Sequence, residues 1–239
     1  MNFFENKPIF GMIHLSPGSS SDPNRSMRAI QEIKILESEG VDGFIIENYH
    51  GSSSDVLEAL TDLGSSKIKI GVNILPNDFE RAFRLVDFFQ GDFIQLDHIA
   101  GSYKKCQEFD VDKFMRFRKT YPNIKVLGGV WPKYYYPITG SILENDIKDA
   151  MKRCDAIVVT GSGTGEETPL DKIKQFRNIC GDFPLIVGAG LDDTNVTTQL
   201  EHADGGIVGS CFKMGKRTTS MINRELVTEF MDRKLNHIS

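Results

Sequence analysis

Short apolar runs recur along the chain, at 9–14, 42–47, 67–73, 92–97, 124–130, 156–159, 184–187 and 205–208. Each is followed by apolar residues at helical spacing. Met27, Ile30, Ile33 and Leu36 share a face of the first helix, which stops near Gly40, and Val56, Leu57, Leu60 and Leu63 mark the second, ending at Gly64. Phe79, Phe83 and Val86, with Phe89 or Gln90, form the third behind an Asn77 cap; Val111, Phe114, Met115 and Arg118 form the fourth behind Asp110. Ile147, Ala150 and Met151 mark a modest fifth helix, Leu170, Ile173 and Phe176 a sixth behind a Thr-Pro cap, and 195–200 a short seventh. The last is clearly amphipathic, through Ile222, Leu226, Val227, Phe230 and Met231.

The strand-like runs are continuously apolar rather than alternating, as expected of parallel strands buried on both faces. Eight such β/α units fit an α/β fold, a single (β/α)8 TIM barrel. A doubly wound open sheet has the same alternation, but eight units with no GxGxxG after the first strand favour closure. With 239 residues and 40% hydrophobic composition, the chain can bury one large core, so residues 1–239 read as one domain.

No apolar run approaches the ~18–20 residues that span a bilayer, and the N-terminus lacks the order of a signal peptide. These features predict a soluble, cytoplasmic protein without membrane insertion. Cys106, Cys154, Cys180 and Cys211 are widely spaced, which argues for reduced thiols and against a zinc site or a disulfide framework. A net charge of −5 with no block of Lys or Arg leaves no electrostatic footprint for nucleic acid. A homo-oligomer is compatible with a barrel, although no stripe of residues identifies an interface.

In a barrel of this kind, chemistry belongs at the C-terminal strand ends and in the loops that follow. Those positions hold His14, Glu47 with Asn48, Asn73, Asp97 with His98, Lys133 and Thr160, a polar ring around a mouth. The opposite strand ends carry mainly Lys, Asp and Gly, the composition of solvated turns. His14, Glu47 and Asp97 are the candidate catalytic groups, able to shuttle protons, and the two carboxylates can also flank a divalent cation. No HxH or HExxH spacing is present, so neither a metal site nor a redox cofactor is assigned.

The strongest single motif lies after the sixth run. There Thr160, Gly161, Ser162, Gly163, Thr164 and Gly165 combine close backbone approach with hydroxyls suited to an oxyanion or a sugar. Asn73, Lys133, Thr160, Gly161, Gly163 and Thr164 are the candidate substrate-binding residues. Glu166 and Glu167 suit the following helix N-terminus. Gly188 and Gly190 after the seventh run, and Gly209 and Ser210 after the eighth, occupy the loops where barrels often hold phosphate, with 211–213 able to begin an extra helical turn. Together these features predict a small phosphorylated metabolite as partner. Trp131 and Tyr134 to Tyr136 supply rings that either stack on a sugar or heterocycle or pack over the barrel, and the polar loop at 15–24 is long enough to be a lid.

GMIHL at 11–15, GVDG at 40–43 with IEN at 46–48, GVN at 71–73 with Asn77 and Asp78, and VTGSGTG at 159–165 together resemble the BtpA family, also called BtpA/SgcQ-like proteins. VGAG at 187–190 with Asn195, and ADGGIVGS at 203–210 with Lys213, extend the resemblance across nearly the whole chain in the family's order. The resemblance implies a TIM barrel. It also implies a role either in stabilising or assembling photosystem I reaction-centre proteins or alongside sugar uptake and metabolism. The fifth run ends in GVWPK at 129–133, which keeps the Lys of the family pattern and lacks its Asp and His. The reading that follows is an acid/base isomerase or epimerase of a phosphosugar or phosphoribosyl compound, with a non-catalytic assembly factor as the alternative.

Overall fold

A computed structural model describes residues 3–18 and 23–238. Part of the predicted lid, 19–22, lies outside the described residues.

Eight parallel strands close into a barrel in sequential order: β1 (Ile9–His14), β2 (Gly43–Glu47), β3 (Lys69–Asn73), β4 (Phe93–Leu96), β5 (Lys125–Gly129), β6 (Ala156–Val159), β7 (Leu185–Val187) and β8 (Gly205–Val208). β8 returns to β1 by pairing Gly206 with Ile9. Helices follow the strands: α1 (Pro23–Ser38), α2 (Ser53–Leu63), α3 (Phe79–Phe88), α4 (Val111–Thr120), α5 (Leu143–Met151), α6 (Leu170–Cys180), α7 (Val196–Leu200) and α8 (Arg224–Ile238). No helix among the described residues is long and apolar enough to cross a membrane.

The period-two alternation along each strand divides the buried residues into two sets. Ile9, Ile13, Phe44, Ile46, Val72, Ile94, Val126, Ile157, Val187 and Val208 join the large core beneath the helices. Phe10, Met12, Ile45, Phe93, Leu127, Ala156, Val158, Ile186 and Ile207 fill the barrel interior. The interior is crowded at its base. Phe10 and Phe93 stand 4.7 Å apart between centroids, and a Cβ at Gly71 would lie 2.3 Å from the Phe93 ring, so a glycine there makes room for the ring.

Local signals at the helix starts fall close to the expected places, with informative differences. Asp78 rather than Asn77 caps α3, its carboxylate accepting the Arg81 N–H at 3.0 Å. Asn77 takes φ +59° and turns its amide to the His98 backbone instead. Asp110 caps α4 as its position before the apolar period predicts. Thr168 does not cap α6. Its hydroxyl donates to the Ala189 carbonyl at 2.8 Å, joining the loop after β6 to the loop after β7. All four cysteines are free thiols.

Candidate functional site

The interior face of each strand decides which side chain reaches the mouth. Following the inward set upward from Met12, Ile45, Gly71 and Phe93 leads to His14, Glu47, Asn73 and Gln95, and one further step of two leads to Asp97. On the other strands the same parity leads to Gly129, Thr160, Gly188 and Gly209. All of these but Asn73 surround a cavity of about 380 Å³ at the C-terminal end of the barrel, with Met12, Val158 and Ile207 among its lining. His14, Glu47, Asp97, Lys133, Thr160, Thr164, Gly188, Gly190, Gly209 and Ser210 all line it.

A chain of polar contacts runs across the strand ends. His14 pairs with Glu47 in register, and its Nε2 lies 3.7 Å from the Glu47 Oε2, beyond hydrogen-bond length. Asn73 does not line the cavity. It stands behind Glu47, its amide donating to Glu47 Oε1 at 3.0 Å and to Gln95 Oε1 at 2.7 Å. The Tyr135 hydroxyl donates to Asp97 Oδ2 at 3.0 Å. Thr160 accepts the Lys133 backbone N–H at 2.8 Å, and Lys172 of α6 holds the Thr160 and Trp131 carbonyls at 2.7 and 3.1 Å. His98, the sequence neighbour of Asp97, turns away to Cys106, 3.4 Å from its Nε2.

Burial sets the proton affinities. It pushes the Glu47 carboxyl up to about 8, the Asp97 charge adding to the effect and Lys133, the Asn73 amide and Lys213 partly offsetting it. It drives His14 well below the usual imidazole range, and the charges of Lys213, Lys133 and His50 act in the same direction. Burial also raises Asp97, against the Tyr135 hydroxyl, the Asn73 amide and Lys133. Lys213, with no exposed surface, lies beyond the 3-10 turn Ser210–Phe212 and donates to the Thr218 carbonyl at 3.1 Å. Its own affinity is lowered by burial, with Glu32 and Glu47 opposing.

The glycine-rich loops after β6, β7 and β8 form one contiguous rim. Gly190 has φ +66°, and a Cβ there would lie 2.0 Å from the Glu166 carbonyl oxygen; Gly165 sits against Ser210, whose hydroxyl would be 2.8 Å from its Cβ. A shallow recess shares Gly165, Gly190, Gly209 and Ser210 with the main cavity and adds Asp192 and Lys216, themselves ion-paired at 2.9 Å. Gly161 and Gly163 are placed away from the cavity lining, where they let the loop close on Glu166 and Glu167. Those two glutamates brace loops rather than the α6 terminus: Glu166 accepts from Ser162 at 2.5 Å and Glu167 from Gln199 at 3.0 Å.

Tyr49 and Gln95 line the cavity without being singled out in the sequence, whereas Tyr135 is one of the three loop rings and Lys213, which stands outside the lining, is part of the family pattern. Gln95 carried a signal, since it lies two residues before Asp97 and therefore on the same strand face. Tyr49, Tyr135 and Lys213 depend on how loops fold back, which spacing does not encode. No group of three or more His, Cys, Asp or Glu arranged to hold a metal ion occurs among the described residues. The donor set of Glu47 and Asp97 is instead tied to Asn73 and Tyr135.

The barrel matches the solved N-(5'-phosphoribosyl)anthranilate isomerase from Pyrococcus furiosus with a TM-score of 0.63, over 96% of this chain and 99% of that one, at 15% identity, a likeness of fold. Among sequence relatives, an uncharacterised protein of Methanocaldococcus jannaschii is 29% identical across 92% of each chain. The photosystem I biogenesis protein BtpA of a Synechocystis species is 26% identical across 96% of this chain and 88% of its own. The BtpA family model matches residues 5–236, and the protein therefore belongs to the BtpA family.

Proposed function

We propose that the protein is an enzyme that binds a small phosphorylated metabolite, a phosphosugar or phosphoribosyl compound, and moves a proton on it in an isomerase- or epimerase-type step. The observation that carries this reading is the placing of a carboxyl and an imidazole, Glu47 and His14, on adjacent strands 3.7 Å apart in one cavity beneath a glycine-rich rim, and burial sets their proton affinities in opposite senses. Glu47 keeps its proton up to about 8, while His14, 3.7 Å away, has released its own well below its ordinary value. At neutral pH a protonated carboxyl and a neutral imidazole thus share one cavity. The first can donate to a carbonyl or hydroxyl oxygen and the second can accept a proton, the pairing that acid/base catalysis requires. Asp97, held by Tyr135, is the second carboxyl in reach of the same space.

In this reading Asn73 orients Glu47 from behind, Lys133, Thr160 and Thr164 orient substrate hydroxyls, and Gly188, Gly190, Gly209 and Ser210 receive the phosphate. Gly161 and Gly163 contribute by shaping the loop that carries Thr164. The Pyrococcus furiosus barrel of similar fold is by name an isomerase of a phosphoribosyl compound, which supports the substrate class.

A thermal-shift series with inorganic phosphate, ribose 5-phosphate and glucose 6-phosphate tests the binding half of the proposal. A ligand at about 100 times its dissociation constant stabilises the folded state by about 2.7 kcal/mol. Stabilisation by a sugar phosphate that disappears in Gly209→Asp, a variant whose unliganded melting temperature is measured alongside, is the expected result. The name of the Synechocystis relative favours a second reading, a non-catalytic biogenesis factor using the barrel as a scaffold. That reading is supported instead if no phosphorylated compound shifts the transition and the Gly209→Asp protein retains its cellular role.

A further inference from the structure

In a closed eight-stranded ring of sequential order, each strand lies opposite the fourth along, so the loops after β7 and β8 face those after β3 and β4 across the mouth. The two sectors differ in chemistry. Gly188, Gly190, Gly209 and Ser210 line the first; Leu75 and Pro76 follow β3, opposite β7, Gln95 and Asp97 stand on and after β4, and Pro132, Tyr134 and Tyr135 follow β5, two strands round from β7 and three from β8. A bare sugar phosphate has no use for the apolar, aromatic surface after β3 and β5.

The rings are fixed without a ligand. The Tyr134 hydroxyl accepts the Thr164 backbone N–H at 2.9 Å and donates to its Oγ1 at 3.3 Å, which ties the β5 loop to the β6 loop. The Tyr135 hydroxyl is held by Asp97, and its ring packs 5.1 Å from His98 and 5.5 Å from Tyr103. Tyr49, after β2, stands edge-on to His14 at 5.3 Å. Tyr134 nevertheless leaves 60% of its surface exposed and Tyr49 40%. Rings anchored in place yet uncovered, on the wall of a concave site, are preorganised surfaces for stacking, because little freedom remains to be lost when a ligand arrives. The volume of about 380 Å³ falls in the range of roughly 300–1,000 Å³ that accommodates ligands of drug size.

We infer that the ligand of this cavity is bipartite, a sugar phosphate bearing a planar aromatic or heteroaromatic group, with the phosphate at the β7–β8 rim and the planar group against Tyr134 and Tyr135. This rests on the phosphorylated-metabolite reading above and names the substrate class within it.

Calorimetric titration of the full chain with matched probes tests it: ribose 5-phosphate against AMP and UMP, and glucose 6-phosphate against 4-nitrophenyl glucoside 6-phosphate. At least one planar-substituted probe binds about ten-fold or more tightly than its unsubstituted counterpart, equivalent to about 1.4 kcal/mol and within the range that aromatic stacking supplies. Tyr134→Ala collapses that ratio, and Tyr134→Phe, which keeps the ring but loses its hydroxyl anchor on Thr164, retains part of it. Equal affinity within every pair, or a ratio that survives Tyr134→Ala, overturns the inference and leaves the phosphosugar reading standing. Undiminished binding of adenosine, uridine or 4-nitrophenyl glucoside without the phosphate, or no binding of any probe, overturns both.

Discussion

The Glu47 carboxyl, 7% exposed between His14 and Asn73, makes the folded state sensitive to pH in a defined direction. Its folded pKa of about 8 lies above the 4.5 of an unperturbed glutamate. Between those values the folded chain holds a proton that the unfolded chain has released, so the stability associated with neutral Glu47 is complete below 4.5 and is lost as pH rises through 8. Asp97, also raised, acts with the same sign, whereas His14, lowered, makes stability rise with pH on the acid side of 6.5. Glu47→Gln therefore gains stability over the parent as pH goes from about 6 to 8, by at most about 1.4 kcal/mol per pH unit. Urea denaturation at three pH values checks this; a difference between the two proteins that is flat with pH would mean that Glu47 is ionised throughout. Sequence position alone put Glu47 and His14 on adjacent strand ends. The inversion of their proton affinities was not legible, because it follows from burial first, then from the Asp97 charge acting on Glu47 and the Lys213 charge acting on His14, and Lys213 reaches their vicinity only through the chain's path after β8.

At the scale of elements, the rim after β6, β7 and β8 depends on backbones lying in contact. Gly190 and Gly181 both have positive φ, +66° and +58°, but a Cβ would strike the Glu166 backbone at Gly190 and meet nothing within 4 Å at Gly181. The strain of an L-residue at such a φ costs on the order of 1–3 kcal/mol, the upper end applying to Gly181, whose ψ of −122° takes it out of the left-handed helical region. Gly181→Ala should lose about that much stability and keep ligand binding. Gly190→Ala should lose more and also lose binding, as read by chemical denaturation and by the sugar phosphate thermal shift; equal effects would show that the two loops are not mechanically joined. The apolar runs gave the strands to within one or two residues, since a strand buried on both faces cannot be mistaken when eight recur. Caps were less legible. Asn77 and Asp78 are both good cap residues in sequence, and only the tertiary contact to His98 decides that Asn77 is used elsewhere.

For the whole molecule, closure of the barrel brings eight loops to one mouth, so residues as distant in sequence as His14 and Ser210 line a single cavity. The polar ring was legible once the strand ends were counted, because the inward positions at and just beyond the ends of β1 to β4 and β6 carry His14, Glu47, Asn73, Asp97 and Thr160, while those of β5, β7 and β8 are glycine. The aromatic half was legible only as an unusual run of Tyr134 to Tyr136, whose alternatives of stacking or packing are separated by geometry: Tyr135 packs beneath, and Tyr134 remains open above. Proton transfer on a bound sugar phosphate is the activity proposed for this cavity. Incubating the full chain in D2O with a panel of keto- and aldo-sugar phosphates, planar-substituted members included, and following their C–H signals by proton NMR tests for that activity without knowledge of the product. Deuterium should enter beside the carbonyl of at least one compound, with a rate that falls about 10²–10⁴-fold in Glu47→Gln and His14→Ala. Exchange that persists undiminished when His14, Glu47 and Asp97 are each replaced, or its absence from compounds that demonstrably bind, would contradict the account.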